Sequence, residues 1–279
     1  MGGAAPSRGR GPGVLLPLLA LLYLFGPAGA ASAAAPLLTC PSQRLRGSGL
    51  DGTGFGTAVA MTDEFLAVGA PGGNVVTNPG QVFVYYWANR QWTLATTLTN
   101  SASHITIDFF GTALAMMRDP DTGVTYLAAT APGPPIRGGT GAASAVLFAH
   151  PPGRAASEWA VAAWWDDPVG ATPHGPSGFG QSAALSGRFL AFGVSWDATR
   201  GGNYVLYERA RASADGQSDG WARAASSKNY EAGAFAWGSG VSLAASSVSA
   251  SPAYMLVGSP RDNLEYKHAS GGLDPLFPL

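Results

Sequence analysis

The segment Asp119-Pro120-Asp121-Thr122-Gly123 sets two carboxylates in alternation ahead of a glycine, which is how a loop for a hard cation begins. Calcium wants several oxygens from one short loop, and here no acid stands where the loop would close, so a solvated Asp/Gly turn is the expected structure. Asp119 and Asp121 are weak metal candidates, and no cofactor is expected. Four histidines (His104, His150, His174, His268) lack metal-ligand spacing, and Cys40 is the only cysteine, so neither zinc nor an internal disulfide is expected.

Other chemistry is equally thin. Gly52-Thr53-Gly54-Phe55-Gly56 is glycine-rich, yet no Lys-Ser/Thr follows it and it introduces a strand, so it is no phosphate cradle. Asp166 and Asp167 are neighbours in an extended segment and point to opposite faces. There is no Gly-X-Ser-X-Gly elbow, and no nucleophile comes with a base and an orienting group. Only 12% of residues are charged and the formal net charge is −1, a balance that does not point to nucleic acid. Catalysis is therefore not expected, and aromatic contacts become the better guide. Trp92, Trp159 and Trp221 recur at one position of a repeat, as packing residues do, whereas Trp196 is the candidate for a ligand contact.

That repeat organises the chain. GFGTAVAMTDEFLAVGAP, from Gly54, returns from Phe109, from Gly178 and from Ala236, with the second residue of each opening pair at Gly56, Gly111, Gly180 and Gly238. The spacings of 55, 69 and 58 residues suit a four-stranded unit. Each unit holds a small-residue segment, an apolar segment ending in a turn such as Gly69-Ala70-Pro71, a third segment after a glycine, and a fourth with a tryptophan. With 39 glycines, 21 prolines and 46% hydrophobic residues, the chain suits short strands and a sizeable core.

Side-chain size rises across the four segments. Ala58, Ala60, Ala113, Ala183 and Ala184 lie in the first, whereas Phe83, Tyr85, Trp92, Tyr204 and Trp221 lie in the last two. Radial sheets converge on an axis where only small side chains fit, so the gradient predicts an all-β, propeller-like array of about four four-stranded blades. Phe55, Phe110, Phe179 and Trp237 are expected to wedge between sheets, and the glycine after each to permit close backbone approach. Prolines such as Pro71 and Pro260 are expected to end the ladder.

Phe55-Gly56 with Gly69-Ala70-Pro71 resembles the FG-GAP repeat of integrin α-subunit propellers and of many secreted or surface proteins. Phe110-Gly111 with Ala131-Pro132, Phe179-Gly180, and Trp237-Gly238 with Gly258 and Pro260 extend the likeness over residues 50–260. Thr130 replaces the first glycine of the second turn, Gly193-Val194-Ser195 lacks the proline, and Trp237 replaces phenylalanine. The resemblance implies a secreted or cell-surface binding or adhesion module for a protein or glycan ligand. Such repeats often carry calcium loops, and these look like the metal-free kind. Two alternatives are the accessory propeller of a larger hydrolase and a structural wall or matrix protein.

The organisation expected is a signal peptide at 1–30, an N-terminal segment at 31–50 that could supply a closing strand, and repeats over about 51–108, 109–177, 178–235 and a partial 236–279. Arg8 and Arg10, the apolar run Val14 to Phe25 and Ala28-Gly29-Ala30 form the three parts of a secretory signal, whose removal leaves no membrane-spanning helix; retention as an anchor is the alternative. Pro275 and Pro278 interrupt the outer half of the last unit, so an open arc that self-associates through free edges is expected.

Overall fold

The computed structural model describes residues 43–46, 53–72, 80–100, 109–133, 143–167, 178–197, 201–210, 213–217, 219–228, 240–244, 254–259, 272–273 and 277–278. All lie in the unit Gln43–Leu279. The expected signal segment, Trp237, Gly238 and Pro260 lie outside the described residues, as do residues 31–42 and 47–50.

The fold is all-β, a propeller-like array of four antiparallel blades. Blade 1 comprises β1 (Val59–Met61), β2 (Phe65–Ala70), β3 (Gln81–Ala88) and β4 (Gln91–Thr99). Blade 2 comprises β5 (Leu114–Arg118), β6 (Thr125–Ala131), β7 (Ser144–His150) and β8 (Ala160–Asp166). Blade 3 comprises β9 (Phe179–Ser186), β10 (Phe189–Asp197), β11 (Gly201–Arg209) and β12 (Trp221–Lys228). In blade 4, β13 (Gly240–Ala244) pairs with β14 (Tyr254–Ser259), and the third position is split between β15 (Gly272–Leu273) and β16 (Phe277–Pro278). Pro275 falls in that split, whereas Pro278 sits within the ladder opposite Tyr254.

The size gradient has its expected cause. β1 touches β5, β5 touches β9 and β9 touches β13, so the alanine-rich first strands line the inside, while the aromatic-rich β3, β4, β11 and β12 lie further out. Among the described residues no comparable contact joins β13 back to β1, and the array is open there.

Period-two alternation assigns each face to a neighbour. Phe65, Ala67, Val82 and Val84 of blade 1 pack on Leu127, Ala129 and Val146 of blade 2. The opposite face of β6 and β7, with Tyr126, Ala128 and Leu147, packs on Leu190, Phe192 and Val205 of blade 3. Every residue of β6 and β7 is consequently buried. Phe189, Ala191 and Leu206 continue the stack onto Met255 and Val257 of blade 4.

The opening pairs behave as wedges where a preceding blade exists. Phe110 is buried between blades 1 and 2 and Phe179 between blades 2 and 3. Phe55 takes the same place on its own blade, with Leu45 against Val68, Ala70 and Phe83, the register equivalents of the Ala129, Ala131 and Val146 that cluster with Phe110; no described sheet packs on its other side. The glycines explain the rest of the skeleton. A β-carbon on Gly69 would fall 2.0 Å from the Gly111 carbonyl oxygen, so the closing glycine of one blade and the opening glycine of the next meet backbone to backbone. Within its own blade Gly56 N–H donates to the Gly69 carbonyl at 2.9 Å, and Gly111 N–H to that of Thr130 at 2.8 Å. Thr130, which stands where the first turn has glycine, meets Gly180 with its side chain.

Pro71 and Pro132 follow the last residues of β2 and β6 directly, and the ladder stops there. Gly193-Val194-Ser195 has no proline, and β10 runs on through a bulge to Asp197. Trp196 is thus a strand residue of β10, not the loop residue that a turn at Ser195 would make it.

Candidate functional site

Hairpins β1–β2 and β3–β4 of a blade open at the same end, as do those of its neighbour, so four turns gather where blades 1 and 2 meet. Between the β1–β2, β5–β6 and β7–β8 turns and the end of β3 lies a pocket of about 340 Å³. Its aromatic floor is Phe65, first residue of β2, which meets Tyr86 at 5.5 Å between ring centroids, His150 at 4.8 Å and Trp159 at 5.1 Å. Tyr86 is 38% exposed. The polar wall comes from Glu64 of the β1–β2 turn, Arg118 and His150 at the ends of β5 and β7, and Arg154 of the β7–β8 connection.

Arg118 crosses the junction: Nη1 donates to Glu64 Oε1 at 3.1 Å and lies 3.9 Å from Asp63 Oδ2. Arg154 lies 3.7 Å from Glu158 on its own loop. His150 Nε2 is 2.9 Å from the Ala155 carbonyl oxygen; an acceptor there fixes the proton on Nε2 in the neutral ring and leaves Nδ1 as an acceptor. The site thus presents guanidinium donors, carboxylate and imidazole acceptors and a partly exposed aromatic ring within one concavity.

The junction of blades 2 and 3 uses the same parts and is closed. Tyr126 occupies in β6 the position of Phe65 in β2, because Gly69 and Thr130 are register equivalents. Its hydroxyl donates to Asp219 Oδ2, and Arg209, the last residue of β11, donates to Asp119 Oδ2 and, at 3.2 Å, to the Tyr126 oxygen. The Ser213 amide donates to Asp219 Oδ1 at 2.7 Å, which folds the β11–β12 loop over blade 2. Gly216 sits so close that a β-carbon would fall 2.7 Å from Ala149 Cβ and 2.8 Å from Val124 Cγ1, at a φ of +67°. That loop fills the space corresponding to the open pocket.

Burial sets the electrostatics here. Burial raises the Asp119 carboxyl, but the hydrogen bond and charge of Arg209, with the Thr122 amide and hydroxyl, outweigh it and hold the group below its ordinary value. Burial lowers Arg209, and the bond to Asp119 more than reverses this. Burial, then the bond to Asp219, pushes the Tyr126 phenol well above its usual range, so it stays a donor.

Asp119 is therefore not the solvated residue that the turn composition suggested. It is 1% exposed, and its Oδ1 accepts from the Asp121 and Thr122 amides and the Thr122 hydroxyl while Oδ2 faces Arg209. Tertiary pairing with a blade distant in sequence overrides the local reading. Asp121 is exposed, and among the described residues no cluster of three or more His, Cys, Asp or Glu side chains is placed to hold a metal ion. The repeat positions Gly69, Ala70, Gly111, Ala131 and Gly180 build blade contacts and do not line the pocket, and Gly258 lies in β14 opposite Gly240. Arg118, Arg154 and Tyr86 escaped sequence reasoning because each is an isolated polar or aromatic residue at a hairpin end. The only available signal was the position of those hairpins in the repeat.

The chain matches no protein-family model, and no curated protein matches it significantly. Among solved structures, a Bifidobacterium bifidum s17 protein provisionally assigned as an exo-β-1,3-galactanase aligns at 10% identity over 75% of this chain and 83% of its own, with a TM-score of 0.27. A likeness at that score carries no argument. No helix among the described residues is long and apolar enough to cross a membrane.

Proposed function

We propose that the chain is a binding module of FG-GAP type, secreted or displayed at a cell surface, which recognises its ligand and does not transform it. The pocket between blades 1 and 2 is the observation that carries this reading. A concavity with an apolar floor and a few convergent polar groups is the usual form of a ligand site. The titratable groups that line it are two guanidiniums, one carboxylate, one imidazole and the Tyr86 phenol. Hydrolysis of a glycoside ordinarily uses a pair of carboxylates flanking the bond, and a nucleophilic mechanism needs a nucleophile, a base and an orienting group. The set here suits recognition. Location outside the cell is favoured by the N-terminal pattern of Arg8, Arg10 and the apolar run, and by the repeat.

The test is to probe the purified chain against a glycan array and, in parallel, against extracellular proteins by pull-down. Specific capture that Tyr86→Ala abolishes, with unchanged melting temperature, is the expected result. No capture of either class, or conversion of a captured glycan to products, would overturn the proposal.

A further inference from the structure

We propose that the pocket between blades 1 and 2 takes one carboxylate-bearing sugar unit of an acidic glycan. The inference rests on the binding reading above and names the ligand class of that site. Donor geometry is the first ground. Arg118 and Arg154 line the pocket with the carboxylate of Glu64, and two further carboxylates, Asp63 and Glu158, stand beside them outside the lining. The two arginines come from different hairpins, β5–β6 and β7–β8, and their described side-chain contacts run through Nη1 alone, to Asp63 and Glu64 and to Glu158. The remaining N–H groups of each fork suit a planar carboxylate, which guanidinium binds in a bidentate manner.

Shape supplies the second ground. At about 340 Å³ the pocket is at the small end of the range for small-molecule sites, room for one or two sugar rings and not for a folded partner. Tyr86 lies partly exposed beside Phe65, a surface on which the apolar face of a pyranose can stack while its edge stays polar. A bare inorganic anion would use the arginines and leave this surface idle. Acceptors for sugar hydroxyls are at hand in Glu64 and in His150, whose Nε2 proton is directed at Ala155.

Isothermal titration of the purified chain with digalacturonate, with the neutral galactose disaccharide and with sodium sulfate tests this. Digalacturonate should bind at least about tenfold more tightly than either other probe, a difference of about 1.4 kcal/mol. Arg154→Ala should cost about tenfold in digalacturonate affinity with the melting temperature unchanged, since its partner Glu158 is on the same exposed loop, and Arg154→Lys should recover only part because the fork is lost. Equal affinity for acidic and neutral disaccharides, or indifference to Arg154→Ala, would overturn the acidic-sugar assignment while a positive glycan array left the binding reading standing. Capture of a protein partner that digalacturonate does not displace would overturn it too. Sulfate binding as tight as digalacturonate would reduce the site to a simple anion pocket.

Discussion

The two inter-blade junctions are built on one plan and differ in how far their charge is buried. In each, an arginine reaches across to the acidic β1–β2-type turn of the preceding blade, and the outer connection folds back over that blade's second strand. Between blades 1 and 2 the arginine is Arg118, whose side chain is 41% exposed, the floor is Phe65 and a pocket remains. Between blades 2 and 3 the arginine is Arg209, 6% exposed, the floor is Tyr126 with a hydroxyl to satisfy, and the loop through Gly216 fills the space. The comparison teaches that charge in this fold is buried and locked where a loop seals it and stays exposed where the loop stands off.

The largest expected effect breaks the sealed junction. Arg209→Ala leaves the Asp119 carboxylate buried without its cation, and removal of one partner of a buried pair typically costs about 3–5 kcal/mol. Arg118→Ala removes a pair that is solvent-exposed on both sides and should cost no more than about 1 kcal/mol. Urea midpoints of the two variants check this directly. Equal losses would mean that the two junctions carry equal loads, contrary to their burial.

A smaller effect sharpens the role of the opening glycines. Gly56 and Gly111 share a φ of +94°, so alanine is strained to the same degree at both. At Gly111 the added β-carbon also falls 2.8 Å from the Gln81 carbonyl oxygen, whereas at Gly56 nothing lies within 4 Å. Gly111→Ala should therefore exceed Gly56→Ala by about 1–3 kcal/mol, the ordinary range for overpacking. Matching losses in thermal melts would show that backbone strain alone decides both positions, with no contribution from the blade-to-blade contact.

How far such contacts were legible differs by level. The blades were, because strand period, the glycine-aromatic opening and the proline exit are local and repeat: Phe110 and Phe179 lie where a wedge is needed, and β2 and β6 stop at Pro71 and Pro132. The pocket was not. Glu64, Arg118 and Arg154 are far apart in the chain and meet only after two blades stack, and nothing about an arginine at a hairpin end distinguishes one that seals from one that lines a cavity. Asp119 was found for its turn and misread for its surroundings, since its partner Arg209 lies 90 residues on. Phe55 was legible in the same way as Phe110, since it packs on the equivalent face of its own blade, against Val68, Ala70 and Phe83.

Acid should distinguish the junctions next. The folded-state value of the Asp119 carboxyl is lowered, so the folded chain binds fewer protons there than the unfolded chain, whose carboxyl titrates near ~3.9. The stability this confers is complete above that unfolded value and is lost as pH falls through the lowered folded one. Asp119→Asn, which cannot titrate, should be less stable than the parent at pH 7 and lose less of its remaining stability between about pH 4 and the onset of global acid unfolding. Parallel acid titrations of both chains would refute the assignment of that stability to the sealed junction.

The smallest expected effect is none. Asp119 and Asp121 alternate as calcium ligands do, yet Asp119 Oδ1 already accepts three donors and Oδ2 is held by Arg209, so a cation would have to displace the guanidinium and leave it buried beside Tyr126 and Asp219. Asp121 alone, exposed in the turn, is one carboxylate where a calcium loop gathers six to eight oxygens. A ligand raises the melting temperature only in proportion to its preference for the folded state, and this turn offers it no such preference. Millimolar calcium should leave the melting temperature where a chelator leaves it. A rise of several degrees that Asp119→Asn abolishes would show the turn exchanging its arginine for a metal, and the sealed junction would then be a switch and not a lock.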